Sequence, residues 1–119
     1  MSFDFDKMYC GSIQRGDVVL VEKEKQEKAY LVLQDDVLNN GLSTIVCANI
    51  KPIIKKEESL INEIILRADI TGLGEDGLCQ LYKIETVNRE SIIAKKGEVD
   101  NEKLKEVFKK LDVTLGRFR

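Results

Sequence analysis

The chain has 119 residues, 19 basic against 21 acidic, for a net charge of −2. That length gives one domain with a small core, and the charge balance lacks the basic excess of most nucleic-acid-binding domains. The absence of histidine excludes Ser-His-Asp, Cys-His and histidine-pair ribonuclease chemistry. Proton transfer then falls to Lys, Tyr, Asp, Glu or Cys, or catalysis rests on electrostatic stabilisation.

Residues 1–12 read as an N-terminal extension and residues 13–119 as a single domain. Met1–Gly11 carries Asp4 and Asp6 with no cationic flank before an apolar stretch, so a secretion signal is not expected there. No apolar run approaches the ~18 residues needed to span a membrane, and a cytoplasmic protein with no membrane partner is expected. Ile13–Val21 is the first predicted strand, carried by Val18, Val19, Leu20 and Val21. Glu22 to Lys28 has no apolar residue and reads as a solvated loop or hairpin tip, leading to a second strand over Ala29–Leu33. Asn39-Asn40-Gly41 signals a turn, Ser43–Ile50 is a third strand, and Pro52 ends it. The β-branched Ile61, Ile64 and Ile65 favour a fourth strand over Leu60–Leu66. Gly72, Gly74 and Gly77 mark a long turn, followed by strands over Leu78–Val87 and Ser91–Ala94.

The period then changes. Leu104, Val107, Phe108 and Leu111 fall on one helical face, with Asp100 as N-cap and Val99 stapled to Leu104. The expected fold is mainly β, a small, strongly bent β-barrel of five to seven short strands with a C-terminal helix packed on its side. Cys10, Cys47 and Cys79 are odd in number and lack CxxC spacing, which argues against disulfides or zinc. Cys47 and Cys79 lie in apolar stretches and read as small buried hydrophobes. No metal and no cofactor is expected.

The order of these signals resembles one family. Arg15-Gly16-Asp17-Val18-Val19-Leu20-Val21 resembles the R-G-D-[IV]-x-x-[VA] opening of the MazF/PemK toxins. Tyr30-Leu31-Val32-Leu33-Gln34-Asp35-Asp36 is similar to their P-V-L-V-[IL]-Q-N-D strand, and Thr44-Ile45-Val46 to their T-x-I-V. Asp76-Gly77-Leu78 through Ile84-Glu85-Thr86-Val87 resembles the D-S-V…Q-I-x-T-[IV] pair. Gly97-Glu98-Val99-Asp100 and Leu115-Gly116 resemble the segments that bracket the last helix. The match is collinear from about Ile13 to Gly116.

The resemblance implies an SH3-like β-barrel and a homodimeric toxin of a type II toxin–antitoxin system. Such toxins are sequence-specific, metal-independent endoribonucleases that cleave single-stranded RNA through a cyclic phosphate. It also implies a cognate antitoxin protein whose disordered tail folds over the RNA groove. Phe3, Phe5, Met8 and Tyr9 in the extension would either cover the barrel or add to a dimer contact.

The sequence departs from the family at both catalytic positions. The loop between strands one and two lacks the family's glycines, and Lys28-Ala29 stands where Arg-Pro is expected. Lysine keeps the positive charge but loses the planar fork of arginine. Lys28 reads as that replacement or as one of a string of exposed lysines. The family's threonine or serine at the end of strand three falls on Lys51, or on Ile50 or Asn49 with a small shift, and none of these carries a hydroxyl. Lys51 would neutralise a phosphate oxygen and Asn49 would donate a hydrogen bond to one, or both are ordinary strand-end residues. Arg15 and Lys25 complete the candidate RNA contacts, although Arg15 could instead only pair with a neighbouring carboxylate. The expected catalytic pair is Lys28 and Lys51. The alternative is a catalytically weak or inactive family member that binds antitoxin or RNA. A gyrase-directed toxin on the same barrel rests on fold analogy alone.

Overall fold

The computed structural model describes residues 8–53 and 62–116. Six strands form one antiparallel sheet: β1 (Asp17–Lys23), β2 (Gln26–Val32), β3 (Thr44–Pro52), β4 (Glu63–Leu66), β5 (Gly77–Asn88) and β6 (Ile92–Glu98). Their order is β4-β5-β3-β2-β1-β6. Helices α1 (Asp36–Asn39) and α2 (Ala68–Thr71) are single turns, and α3 (Asn101–Thr114) follows the last strand.

The sheet curls until its edges meet through α2, which leaves β4 and lies against β6. Two glycines permit that approach. A Cβ on Gly97 would stand 1.9 Å from the Ile70 carbonyl oxygen, and one on Gly72 would stand 1.9 Å from that of Lys96. No side chain fits at either place, so the closure rests on backbone against backbone. The result is the mainly-β, barrel-like fold with a C-terminal helix expected from the sequence.

Both faces of the central strands are buried. Val18, Leu31, Ile50 and Leu81 face a core capped by Leu104, Val107, Phe108 and Leu111 of α3. Val19, Val21, Tyr30, Val32, Ile45 and Cys47 point the other way into a second core. Burial on both sides is why β1 and β2 read as continuous apolar runs rather than alternating ones. Tyr9 packs on the second core and its N–H donates to the Ile92 carbonyl at 2.8 Å. This part of the N-terminal extension therefore covers the barrel, while Phe3 and Phe5 lie outside the described residues.

α3 is held as its sequence predicts. The Asp100 side chain accepts from the Lys103 N–H at 2.8 Å, and Val99 and Leu104 join the same core. Several predicted bounds move. β1 begins at Asp17, because Gly16 at φ +94° closes a turn in which the Asp17 N–H donates to the Gln14 carbonyl. The charged stretch after it is strand on both sides of a two-residue turn, Glu24-Lys25, with Lys23 opposite Gln26. Asn39-Asn40 ends α1 instead of a plain loop. Buried Gln34 fixes that segment by donating to Asn39 Oδ1 at 3.0 Å and to the Thr44 carbonyl at 2.9 Å. The fourth strand spans Glu63–Leu66, and the Leu60 and Ile61 of its predicted start lie outside the described residues.

Two irregularities matter for the site. Ala48 of β3 pairs with Ile84 of β5, but its neighbour Asn49 pairs with Gln80, so Leu81, Tyr82 and Lys83 form a bulge. The bulge reverses the facing of β5: Cys79 and Leu81 enter the first core and Val87 the second. On β6, Gly97 and Lys95 pair with adjacent residues of β1, which leaves Lys96 as an extra residue. Bulges of this kind re-aim side chains and bend the strand that carries them.

Candidate functional site

β2 and β3 pair with Ala29 opposite Ile50 and Tyr30 opposite Asn49. Lys28 and Lys51 are the next residues outward at the same end of this ladder. Both line one cleft of about 650 Å³, together with Asn49. The glycine-rich segment between α2 and β5 supplies another wall, including Leu73, Glu75 and Asp76. That wall is pinned. The Asp76 carboxylate accepts from the Ala68 N–H at 2.8 Å, and the Thr71 hydroxyl donates to the Glu75 carbonyl at 3.3 Å.

Lys83 and Lys96 line the same cleft. Both come from the bulges of β5 and β6, and sequence reasoning missed them because strand periodicity does not mark where a register slips. The cleft therefore gathers Lys28, Lys51, Lys83 and Lys96, opposed by Glu27, Glu75 and Asp76. A molecule of net charge −2 thus still concentrates ammonium groups in one concave place, where low-dielectric walls strengthen their field.

The other two candidates lie elsewhere. Lys25 sits in the hairpin turn at φ +65° and lines a separate hollow with Glu22, Glu27 and Ile93. Arg15 does not line the cleft. Its Nε donates to the Leu33 carbonyl at 2.9 Å, its guanidinium lies 4.7 Å from the centre of the Phe108 ring, and Asp35 is 3.9 Å away. Those contacts tie the start of β1 to the exit of β2 and to α3. The neighbouring Asp17 is buried and accepts from the Gln14 N–H at 2.8 Å and from Lys95 Nζ at 3.2 Å. Each residue of the Arg-Gly-Asp segment thus has an architectural task.

Two polar groupings flank the cleft. Tyr30 donates its phenolic proton to Glu85. That hydrogen bond, helped by the charges of Lys23 and Lys28, holds the Glu85 carboxyl below its usual range. Burial, together with the same hydrogen bond, pushes the Tyr30 phenol well up. The second grouping is a chain: Asn49 Nδ2 donates to Gln80 Oε1 at 2.8 Å, Gln80 Nε2 to the Tyr82 hydroxyl at 2.9 Å, and that hydroxyl to Glu63 Oε2 at 2.9 Å.

Cys47 and Cys79 are buried, and their thiols are pushed up to about 12 by burial, so neither is a thiolate near neutral pH. Among the described residues no group of three or more His, Cys, Asp or Glu could hold a metal ion. No helix among them is long and apolar enough to cross a membrane. What the arrangement offers is fixed positive charge around a concave site, the provision that stabilises a phosphate gaining negative charge.

The model of the PemK-like, MazF-like toxins of type II toxin–antitoxin systems matches residues 14–115. No curated protein sequence matches the chain. Solved structures share its fold at low identity. An endoribonuclease from Mycobacterial species, solved in complex with its cognate antitoxin, is 17% identical with a TM-score of 0.75, over 87% of this chain and 95% of that one. The MazE-MazF complex of Deinococcus radiodurans (Form-I) is 20% identical with a TM-score of 0.73, over 89% and 98%. The Mycobacterium tuberculosis toxin MazF-mt6 is 14% identical with a TM-score of 0.72, over 84% and 96%. With its sequence matched over nearly its whole length and its barrel shared with these toxins, the chain belongs to the PemK-like, MazF-like toxins of type II toxin–antitoxin systems.

Proposed function

We propose that this toxin is a sequence-specific, metal-independent endoribonuclease of single-stranded RNA, countered by a cognate antitoxin protein in the cytoplasm. One observation carries the reading: Lys28, Lys51 and Asn49, from the positions where the family's catalytic residues are expected, line a single cleft with Lys83 and Lys96. In the proposed reaction the ribose 2′ oxygen bonds to the adjacent phosphorus and the bond to the 5′ oxygen breaks. The 2′ hydroxyl gives up a proton and the departing 5′ oxygen takes one, leaving a cyclic phosphate and a 5′ hydroxyl. Lys28 and Lys51 stabilise the charge that builds on the non-bridging oxygens.

The carboxylates of Glu27, Glu75 and Asp76 in the same cleft favour a second reading, a weak or inactive member that only binds. One assay separates the two. Purified protein incubated with unstructured RNA in EDTA is expected to give fragments ending in cyclic phosphate, while double-stranded RNA resists because its bases cannot be splayed into the cleft. Cleavage that requires a divalent ion overturns the metal-independent mechanism. RNA bound but left intact selects the binding module.

A further inference from the structure

Cleavage of the proposed kind needs a group that takes the proton of the 2′ hydroxyl, and a lysine ammonium has no acceptor to offer. Histidine is absent, and the buried thiols of Cys47 and Cys79 stay protonated near neutral pH, so carboxylates are the candidates. Within the cleft, Asp76 is engaged by the Ala68 N–H. No hydrogen bond or ion pair among the described residues holds the carboxylate of Glu27 or Glu75. Glu85, beside the cleft, is held. The Tyr30 hydroxyl donates to its Oε2, and Lys23 Nζ lies 3.7 Å from the same oxygen. Tyr30 is 1% exposed with its ring in the second core, so the donor itself is fixed. No hydrogen bond among the described residues reaches Glu85 Oε1, and the side chain is 41% exposed, within reach of a ribose. Lys28 lines the cleft, and its charge also acts on Glu85. In RNA the 2′ oxygen and the phosphorus it attacks belong to one nucleotide step. A base for the first must therefore stand beside the cation that holds the second.

From this placement we infer that Glu85 is the general base of the cleavage and Tyr30 the residue that positions it. The inference rests on the ribonuclease reading above. Glu85 Oε1 takes the proton of the 2′ hydroxyl as the 2′ oxygen bonds to phosphorus. The bond from phosphorus to the 5′ oxygen breaks, and that oxygen takes a proton from water. Glu85 then returns its proton to the hydroxide so formed, and no net proton is consumed. The carboxylate is ready for this at neutral pH, because the Tyr30 hydrogen bond and the charges of Lys23 and Lys28 hold it below its usual range. The titratable groups that face it among the described residues are Lys23 of β1, Lys28 and Tyr30 of β2, and Cys47, its pairing partner on β3. Lys83 stands two residues before it on β5 itself. A purely structural Glu85 would only satisfy the buried Tyr30 hydroxyl, and a neutral acceptor would do that equally well.

That difference supplies the test. Glu85→Gln keeps an amide oxygen for Tyr30 and removes the base, so the melting temperature should change little. Single-turnover cleavage of a fluorescent single-stranded RNA in EDTA should fall roughly 100-fold or more, the scale of losing a general base. RNA affinity should hold or rise, because a negative charge has left the site. The unaltered protein should lose rate on the acid side as Glu85 takes up a proton, with circular dichroism verifying the fold at each pH. In Glu85→Gln that acid limb should be absent. Tyr30→Phe keeps the ring and removes the hydrogen bond that contributes most to holding Glu85 down, so its acid limb should move to higher pH. Lys23→Met, on the surface, should move it the same way by less. A limb that neither variant moves removes Tyr30 from its positioning role. Glu85→Gln cutting at the unaltered rate, or cutting slowly with its acid limb intact, overturns the assignment of the base and leaves the ribonuclease reading standing. An unaltered protein that leaves the RNA whole overturns both.

Discussion

Two cations of the sequence, Lys28 and Arg15, stand in different surroundings. Lys28 lines the cleft and lies close enough to Glu85 to help hold that carboxyl down. If it stands in for the family's arginine, its ammonium acts on charge that appears only in the transition state. Lys28→Ala should slow RNA cleavage roughly 100-fold or more while RNA affinity falls by about one phosphate contact, with a shallower salt dependence. Lys25→Ala is the control and should do little, since Lys25 lines a different hollow. Lys28→Arg reports whether the planar fork fits this tight hairpin. Equal small effects at both lysines would remove Lys28 from the chemistry. Arg15 predicts the opposite pattern. Its hydrogen bond to the Leu33 carbonyl and its stacking on Phe108 are worth about 1–2 kcal/mol together. Arg15→Ala should lower the free energy of unfolding, measured by denaturant titration, by that amount and leave RNA affinity unchanged. A loss of affinity without a loss of stability would return Arg15 to the RNA.

At the scale of elements, the barrel closes where α2 meets β6, and that seam also carries Lys96 into the cleft. Gly97→Ala places a methyl group 1.9 Å from the Ile70 carbonyl oxygen. The backbone must give way, at a cost of about 3 kcal/mol or more, which denaturant unfolding would measure. A neutral result would mean that the seam is looser than its geometry. This seam also shows where sequence reasoning stops. β1, β2 and β3 were legible as continuous apolar runs because both faces are buried, Val18 and Leu31 in one core and Val19 and Tyr30 in the other, and α3 because Leu104, Val107 and Leu111 recur at helical spacing. Lys28, Asn49 and Lys51 could be placed together because they sit on regular, adjacent strands. Lys83 and Lys96 could not, because each occupies a bulge, and a bulge is set by tertiary fit and not by local pattern. α2 was equally silent. A single turn of Ala68–Thr71 has no room for a period, and what it needed was a glycine on the partner strand. Of the two readings of the run from Glu22 to Lys28, solvated loop or hairpin tip, the structure has the second: backbone pairing carries both strands through it to a two-residue turn.

For the whole molecule, the net charge of −2 and the lysine-lined cleft pull in different directions. Long-range attraction to RNA is weak at this charge, so affinity must come from short-range contacts in a concave site, and a site shared between two subunits would double them. The family resemblance implies such a dimer, and the isolated subunit exposes apolar side chains that a partner could cover. Val37 is 78% exposed, and Leu38 and Leu42 beside it are 47% and 48% exposed. Removing such area from water yields roughly 25 cal/mol per Å², enough for stable association when a subunit hides an interface of ordinary size. Light scattering at micromolar concentration should therefore give about twice 13.5 kDa. The same measurement repeated in 1 M salt distinguishes the source of association. Apolar contact should persist or tighten, whereas a dimer held by surface ion pairs should dissociate as the screening length shrinks to about 3 Å. A clean monomer in both conditions would leave the cleft of one subunit to hold the RNA by itself, and cleavage by that monomer would then place the whole reaction on Lys28, Lys51, Lys83 and Lys96.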